Sequence, residues 1–226
     1  MRETRIIPID RDRCISLACR IFDDKTEGRY EDAYTCLEEI RENFYPAAAA
    51  AYYDEFSFSG KSLHVEGNEV TCDAFGKIST NEVTGVHFYC ATSGYTGSVT
   101  GGICYQLYEE MWATAVTDAV RIMTKEELSK RGNTSRSFGP GFFGMKMNEM
   151  EKISGLVDFA SVGMKAGEGG MLIPEKSCAG LFLVYREGYR ESISACEFCK
   201  GSRSACFMCI EKDFENRKSI YDVLKK

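Results

Sequence analysis

The sequence predicts an α+β domain built on an antiparallel or mixed sheet. Helical periodicity is grouped between residues 14 and 46 and again over roughly 103–129. Short segments with two-residue alternation lie at 62–72, 86–91 and 181–185, and the first contains a tight-turn signal. Helices before and after mixed strands are the pattern of that fold class. With 226 residues, of which 44% are apolar or aromatic, the chain can bury a substantial core.

The elements follow in order. A short helix is expected through CISLACRIF. In YEDAYTCLEEIRENFYP, Tyr30, Ala33, Leu37, Ile40 and Phe44 recur at three- and four-residue steps, so one stripe is apolar. Glu31 and Asp32 suit the first turn of that helix and Pro46 ends it. The uncharged alanine run 47–51 reads as the helix exit or a buried connection. In SLHVEGNEVTC, Leu63 and Val65 alternate with polar neighbours, as do Val70 and Cys72, and Gly67-Asn68 predicts a hairpin turn. In GVHFYCATSG, Val86, Phe88 and Cys90 take one face and His87, Tyr89 and Ala91 the other. The longest helix, 103–129, carries the stripe Cys104, Leu107, Met111, Ala115, Asp118, Ile122. A shorter helix around NEMEKISGLVDFA, a glycine-rich stretch, the strand LFLVY and a polar tail helix, NRKSIYDVLKK, complete the chain.

Composition excludes several classes. A charged fraction of 27% with 12% aromatics is not that of a disordered or low-complexity chain. The 34 acidic against 28 basic residues, a net charge of -6, give no basic face for nucleic acid. No apolar run is long enough to span a bilayer, and the charged start MRETRIIPIDRDRC has no secretory apolar region. A cytoplasmic protein without nucleic-acid or membrane partners is expected.

Cysteine is abundant, with eleven residues. The odd count and the charged start speak against a disulfide framework and for a reducing compartment. Seven are scattered, whereas Cys196, Cys199, Cys206 and Cys209 form C-x2-C-x6-C-x2-C. Two such knuckles can place four thiolates around zinc or a [4Fe-4S] cluster, and spacing does not separate the two. The division expected is therefore a domain over 1–190 followed by a cysteine-rich metal-binding segment and tail helix over 191–226.

Two other features bear on chemistry. Asp118 interrupts an otherwise apolar stripe, where a carboxylate is costly unless a cation or hydrogen bonds offset its burial. An arginine or a ligand ammonium would do so, and so would a turn of that face toward solvent. The loop GPGFFG spells G-x-G-x-x-G at Gly139, Gly141 and Gly144, but no buried strand precedes it and no βαβ unit surrounds it, so it is not a dinucleotide fingerprint. It suits close approach of backbone to a flat ligand, or an ordinary surface loop. The histidines, His64 and His87, stand far apart on strand patterns, and neither builds a nucleophilic triad.

Several of these segments, taken in order, resemble the activation (reactivation) domain of cobalamin-dependent methionine synthase. They are FYPAAAAAYYDEFSF with the hairpin, VTGVHFYCATSGYTGSV with the long helix, RSFGPGFFGM, and MLIPEKSCAGLFLVY with its Pro174, Ser177 and Gly180. The likeness covers roughly residues 30–190. It implies a curved α+β domain, with a mainly antiparallel sheet flanked by helices, that holds S-adenosylmethionine in a shallow groove. The resemblance further implies a cobalamin or corrinoid held by a partner methyltransferase and reduced by a flavodoxin- or ferredoxin-like donor. Carried over by position, Asp118 meets the ligand's ammonium and Arg136 its carboxylate, while Gly139, Gly141, Phe142 and Tyr189 complete the binding set. Phe142 stands where the family has tyrosine, one more residue separates Arg136 from Pro140, and the four-cysteine segment is an addition. A different class of reading stays open beside this one: a metal-knuckle scaffold or electron-transfer partner of a corrinoid methyltransferase that does not bind S-adenosylmethionine.

Overall fold

The computed structural model describes residues 3–26, 31–97, 102–130, 132–189, 191 and 193–198. The first strand, β1 (Arg5–Ile7), leads into α1 (Arg11–Thr26) and α2 (Glu31–Ile40), and a tight turn of 3-10 helix over Arg41–Asn43 ends the helical run ahead of Pro46. Strand β2 (Ala47–Tyr53) is followed by three short strands, β3 (Ser57–Ser59), β4 (Ser62–Val65) and β5 (Asn68–Thr71). Next come β6 (Val83–Thr92), the long α3 (Ile103–Ser129), β7 (Asn133–Thr134) and α4 (Glu149–Ser154). The chain continues through β8 (Lys165–Ala166) and β9 (Leu172–Ile173) to β10 (Ser177–Tyr185).

The main sheet runs β1-β2-β6-β10-β7, antiparallel at every pairing, and curls into a half-barrel flanked by helices. A smaller sheet, β3-β4-β5, and the β8–β9 pair are separate from it. Because each pairing is antiparallel, the sheet contains no βαβ unit, consistent with rejecting the dinucleotide reading of the glycine loop.

The central strands are covered on both faces. One face, with Ala48, Ala50, Tyr89, Ala91 and Phe182, packs on α1, α2 and α3 through Ile21, Phe22, Leu37, Trp112, Val116 and Val120. The Phe22 and Trp112 rings stack 4.0 Å apart, and the Trp112 indole N–H donates to Ala33 O at 2.7 Å, satisfying the one polar atom that this burial encloses. The other face, with Ala49, Ala51, Val86, Phe88, Cys90 and Leu181, packs on the hairpin and α4 through Leu63, Val65, Val70, Ile153 and Leu156. The alternation expected at 86–91 is therefore the one observed.

Four expectations need correction. The alanine run is neither a helix exit nor a connection but strand β2, in the interior of the sheet. Alanine favours helix in isolation, yet a strand pressed between helices on one face and a hairpin on the other needs side chains this small. The hairpin turn is centred on Glu66-Gly67, one residue earlier than expected, since Val65 pairs with Asn68. Both central residues have positive φ, 45° and 75°, as a primed two-residue turn demands. The stripe on α3 holds in part: Ala115 and Ile122 are buried and Met111 packs against the core, but Leu107 is exposed, and Trp112, Val116, Ala119 and Met123 are buried beside them. The middle of this helix is enclosed by α1 and the sheet, so nearly every side carries small or apolar residues and periodicity loses its phase. Finally, α4 is a short helix, and the rest of the segment expected there turns and ends in a 3-10 turn over Ala160–Val162.

Residues 193–198 pack back on the domain. Ile193 is buried in the second core, Lys77 pairs with Glu197 at 2.9 Å, and the rings of Phe143 and Phe198 lie 6.3 Å apart. The expected tail helix lies outside the described residues.

Candidate functional site

A cleft of about 410 Å³ opens where α3, the beginning of β10 and the glycine loop meet. Its position follows from three local arrangements. In the first, Lys176 O is held from two elements: Thr117 Oγ1 of α3 lies 2.8 Å away, and Ser93 donates its N–H and its hydroxyl at 3.1 Å each. The Ser177 hydroxyl donates to Thr92 Oγ1 at 2.8 Å. The start of β10 is thereby fixed against the helix that carries Asp118.

The second arrangement is a crossing of two backbones. Phe138 N–H donates to Leu181 O at 2.9 Å and Leu181 N–H returns to Phe138 O at 2.7 Å. A Cβ on Gly180 would lie 2.2 Å from Phe138 O, and one on Gly139 would lie 2.8 Å from Ala179 O. The glycine of the loop and the glycine of the Pro-x-x-Ser-x-x-Gly segment thus face each other because the main chains touch there. The third is the pair Tyr89 and Ser137, whose buried hydroxyls lie 2.6 Å apart beneath the loop.

Asp118 and Arg121 line this cleft and form an ion pair at 3.6 Å, with side chains 17% and 7% exposed. The puzzle of an acid on an apolar stripe has a physical answer here: the guanidinium one helical turn on offsets its desolvation. Cys178 lies against the pair. Burial pushes its thiol up to about 11, with the Arg121 charge opposing and the Asp118 charge adding to that rise. Lys176, also in the lining, pairs with Glu110.

The expected binding residues divide into two groups. Asp118, Gly139 and Phe142 line the cleft, whereas Arg136, Gly141 and Tyr189 do not. Gly141 is on the exposed turn, its N–H donating to Met145 O at 3.0 Å. Arg136 is half-buried and its main-chain N–H donates to Glu191 Oε2 at 3.0 Å. Glu191 also accepts from the Tyr185 hydroxyl at 3.2 Å, and the Tyr185 ring packs on Tyr189 at 4.7 Å. Burial raises the Glu191 carboxyl above its ordinary range, against the lowering by its Arg136 and Tyr185 hydrogen bonds. Tyr185, which anchors this cluster, is at the far end of the strand from Ser177, about 26 Å along it at the usual rise per residue, although Arg136 itself is next to Ser137 of the lining. Arg121 was missed from the sequence. The signal was present, since D-x-x-R on a helix puts both charges on one face.

Of the four cysteines expected to bind metal, Cys196 is exposed in a 3-10 turn over Ala195–Glu197, and Cys199, Cys206 and Cys209 lie outside the described residues. Among the described residues no group of three or more His, Cys, Asp or Glu is placed to hold a metal ion. Among them, too, no helix is long and apolar enough to cross a membrane.

An antiparallel α+β half-barrel with a ligand-sized cleft at one end of its central strands is the class of protein that these features define. No protein-family model matches the chain, and no curated protein matches it. Among solved structures, the MetH reactivation domain bound to AdoHcy superposes with a TM-score of 0.59 at 11% identity, over 84% of this chain and 81% of that one. At this identity the likeness is one of fold.

Proposed function

We propose that this protein binds S-adenosylmethionine in the cleft and supports reductive activation of a cobalamin- or corrinoid-dependent methyltransferase. The observation that carries the reading is the Asp118–Arg121 pair in a ligand-sized cleft, within a fold like that of a domain bound to AdoHcy. The residues fit such a ligand. A zwitterionic amino-acid end lies head to tail against a carboxylate and a guanidinium, its ammonium on Asp118 and its carboxylate on Arg121, both charge-assisted. Gly139 lets a flat group approach the backbone, and Phe142 offers an apolar ring. The role that the resemblance gives Arg136 passes in this reading to Arg121.

The corrinoid belongs to a partner, and an electron comes from a flavodoxin- or ferredoxin-like donor. Methyl transfer from the sulfonium to the partner's reduced cobalt breaks one S–C bond, forms one Co–C bond and leaves S-adenosylhomocysteine. The protein's own contribution is to bind and orient the donor. The four cysteines, with zinc or a [4Fe-4S] cluster, serve as docking knuckle or electron relay. The packing of Phe198 on Phe143 supports such a role, because it brings the start of that segment to the glycine loop.

Calorimetric titration of anaerobically purified protein with S-adenosylmethionine and S-adenosylhomocysteine tests this. Saturable binding is expected, and Asp118→Asn should weaken it about tenfold or more, as expected for a lost charged hydrogen bond. Arg136→Ala should change affinity less than twofold, and a larger loss would return the carboxylate to Arg136. One observation favours the scaffold reading: Arg136, Tyr185 and Tyr189 gather around Glu191 rather than in the cleft. Absence of both heat and competition up to millimolar ligand would favour the scaffold or electron-transfer reading instead.

A further inference from the structure

The cleft is chemically divided. Residues from α3 and the start of β10 bring charge and hydroxyl groups, while the loop after Pro140 and the turn before β9 bring Phe142, Met147, Met150, Met171 and Leu172. Three of these stay in water to an unusual extent for large apolar side chains: Phe142 is 45% exposed, Met147 49% and Met171 59%. Single exposed apolar residues are ordinary, but three on abutting segments around one cleft form a patch that a ligand can cover.

The patch is also built. A Cβ on Gly170 would lie 2.6 Å from Met147 O, so the segment carrying Met171 presses main chain against main chain on the segment carrying Met147. The Met147 sulfur sits 3.8 Å from where a Gly141 Cβ would be. Met150 N–H donates to Met147 O at 3.1 Å, and the neighbouring Glu149 is tied to Thr71 by bonds of 3.0 and 2.7 Å. The main chain is thus fixed at both positions, and the Met147 and Met171 side chains stand at the rim open to solvent.

We infer that Met147 and Met171 form a thioether lip that takes the flat heteroaromatic ring of the ligand, and so set the cleft's preference for an adenosyl group over a bare amino acid. The inference rests on the ligand class proposed above. A polarizable sulfur gains from contact with a ring, and an unbranched side chain follows a flat face without strain. Neither methionine takes part in the ion pair, so the lip selects the ring while Asp118 and Arg121 select the amino-acid end.

Methionine-methyl 13C NMR on the whole protein tests it, with the two resonances among nine methionines assigned through Met147→Leu and Met171→Leu. S-adenosylhomocysteine and adenosine should both move the Met147 and Met171 methyls upfield by ring current, and L-methionine should not. Met147→Ala and Met171→Ala should each weaken S-adenosylhomocysteine binding by about threefold to tenfold, with L-methionine binding unchanged. If S-adenosylhomocysteine binds while both methyls stay in place, or the alanine variants bind it like the wild type, the lip is wrong and the ligand reading stands. If the wild type binds neither S-adenosylhomocysteine nor adenosine, both fall.

Discussion

Gly180 and Phe138 O are too close for any side chain between them, so Gly180→Ala must separate β10 from the glycine loop. It should cost about 3 kcal/mol, as overpacking at a rigid contact does, measured by urea unfolding. Gly139→Ala, meeting Ala179 O at a longer distance, should cost less. Thiol chemistry divides in the same way by position. Burial pushes Cys14, Cys72 and Cys90 each up to about 12, whereas Cys196 is exposed. Alkylation of protein stripped of metal by a chelator, followed by mass spectrometry, should therefore label Cys196 well before those three, because the thiolate is the reacting form. Asp118 could be singled out from its neighbours in sequence, and Arg121 could have been by the same spacing. Met147 and Met171 could not, since nothing local distinguishes a methionine at a cleft rim from one in a core.

At the scale of elements, β2 and α4 show opposite limits of local reading. Five alanines carry no period, so neither their strand nor its two buried faces can be read from the segment itself. An Ala50→Leu variant should lose about 1–3 kcal/mol, because the helices covering that face leave no room. The short α4 is held by Glu149, which accepts from Thr71 N–H and hydroxyl and pairs with Lys152 at 3.0 Å. Burial raises this carboxyl, but the Thr71 bonds and Lys152 outweigh it and leave its pKa below the usual 4.5. A depressed carboxyl stabilises the fold above its unfolded pKa and loses that contribution as pH falls. Glu149→Ala should thus cost about 2 kcal/mol at pH 7, with the part-buried Thr71 N–H and hydroxyl losing a charged acceptor. The gap to wild type, followed by urea unfolding, should shrink as the pH is lowered below about 4.

For the molecule as a whole, the buried thiols make alkaline pH destabilising. Cys14, Cys72 and Cys90 stay protonated in the fold to about 12, while the unfolded chain releases those protons from about 9. The unfolded state then binds fewer protons, so stability falls as pH rises through that window, by about 1.4 kcal/mol per pH unit for each thiol. The three losses run in the same direction, so the domain should lose stability steadily as pH rises above about 9. Circular dichroism melts from pH 8 to 11 should show the fall, and Cys→Ala or Cys→Val at two of these sites should flatten it. The strands β6 and β10, the amphipathic α2 and the extent of α3 were written in local periodicity, and so was the acid at 118. Tertiary structure alone decided the strand made of alanines, how far the buried face of α3 widens beyond Ala115 and Ile122, and the absence of Arg136 and Tyr189 from the cleft lining. The reason is the same in each case. Period and spacing act over one or two turns, whereas which face is buried and which distant residues share a cleft depend on contacts made by chain far away in sequence.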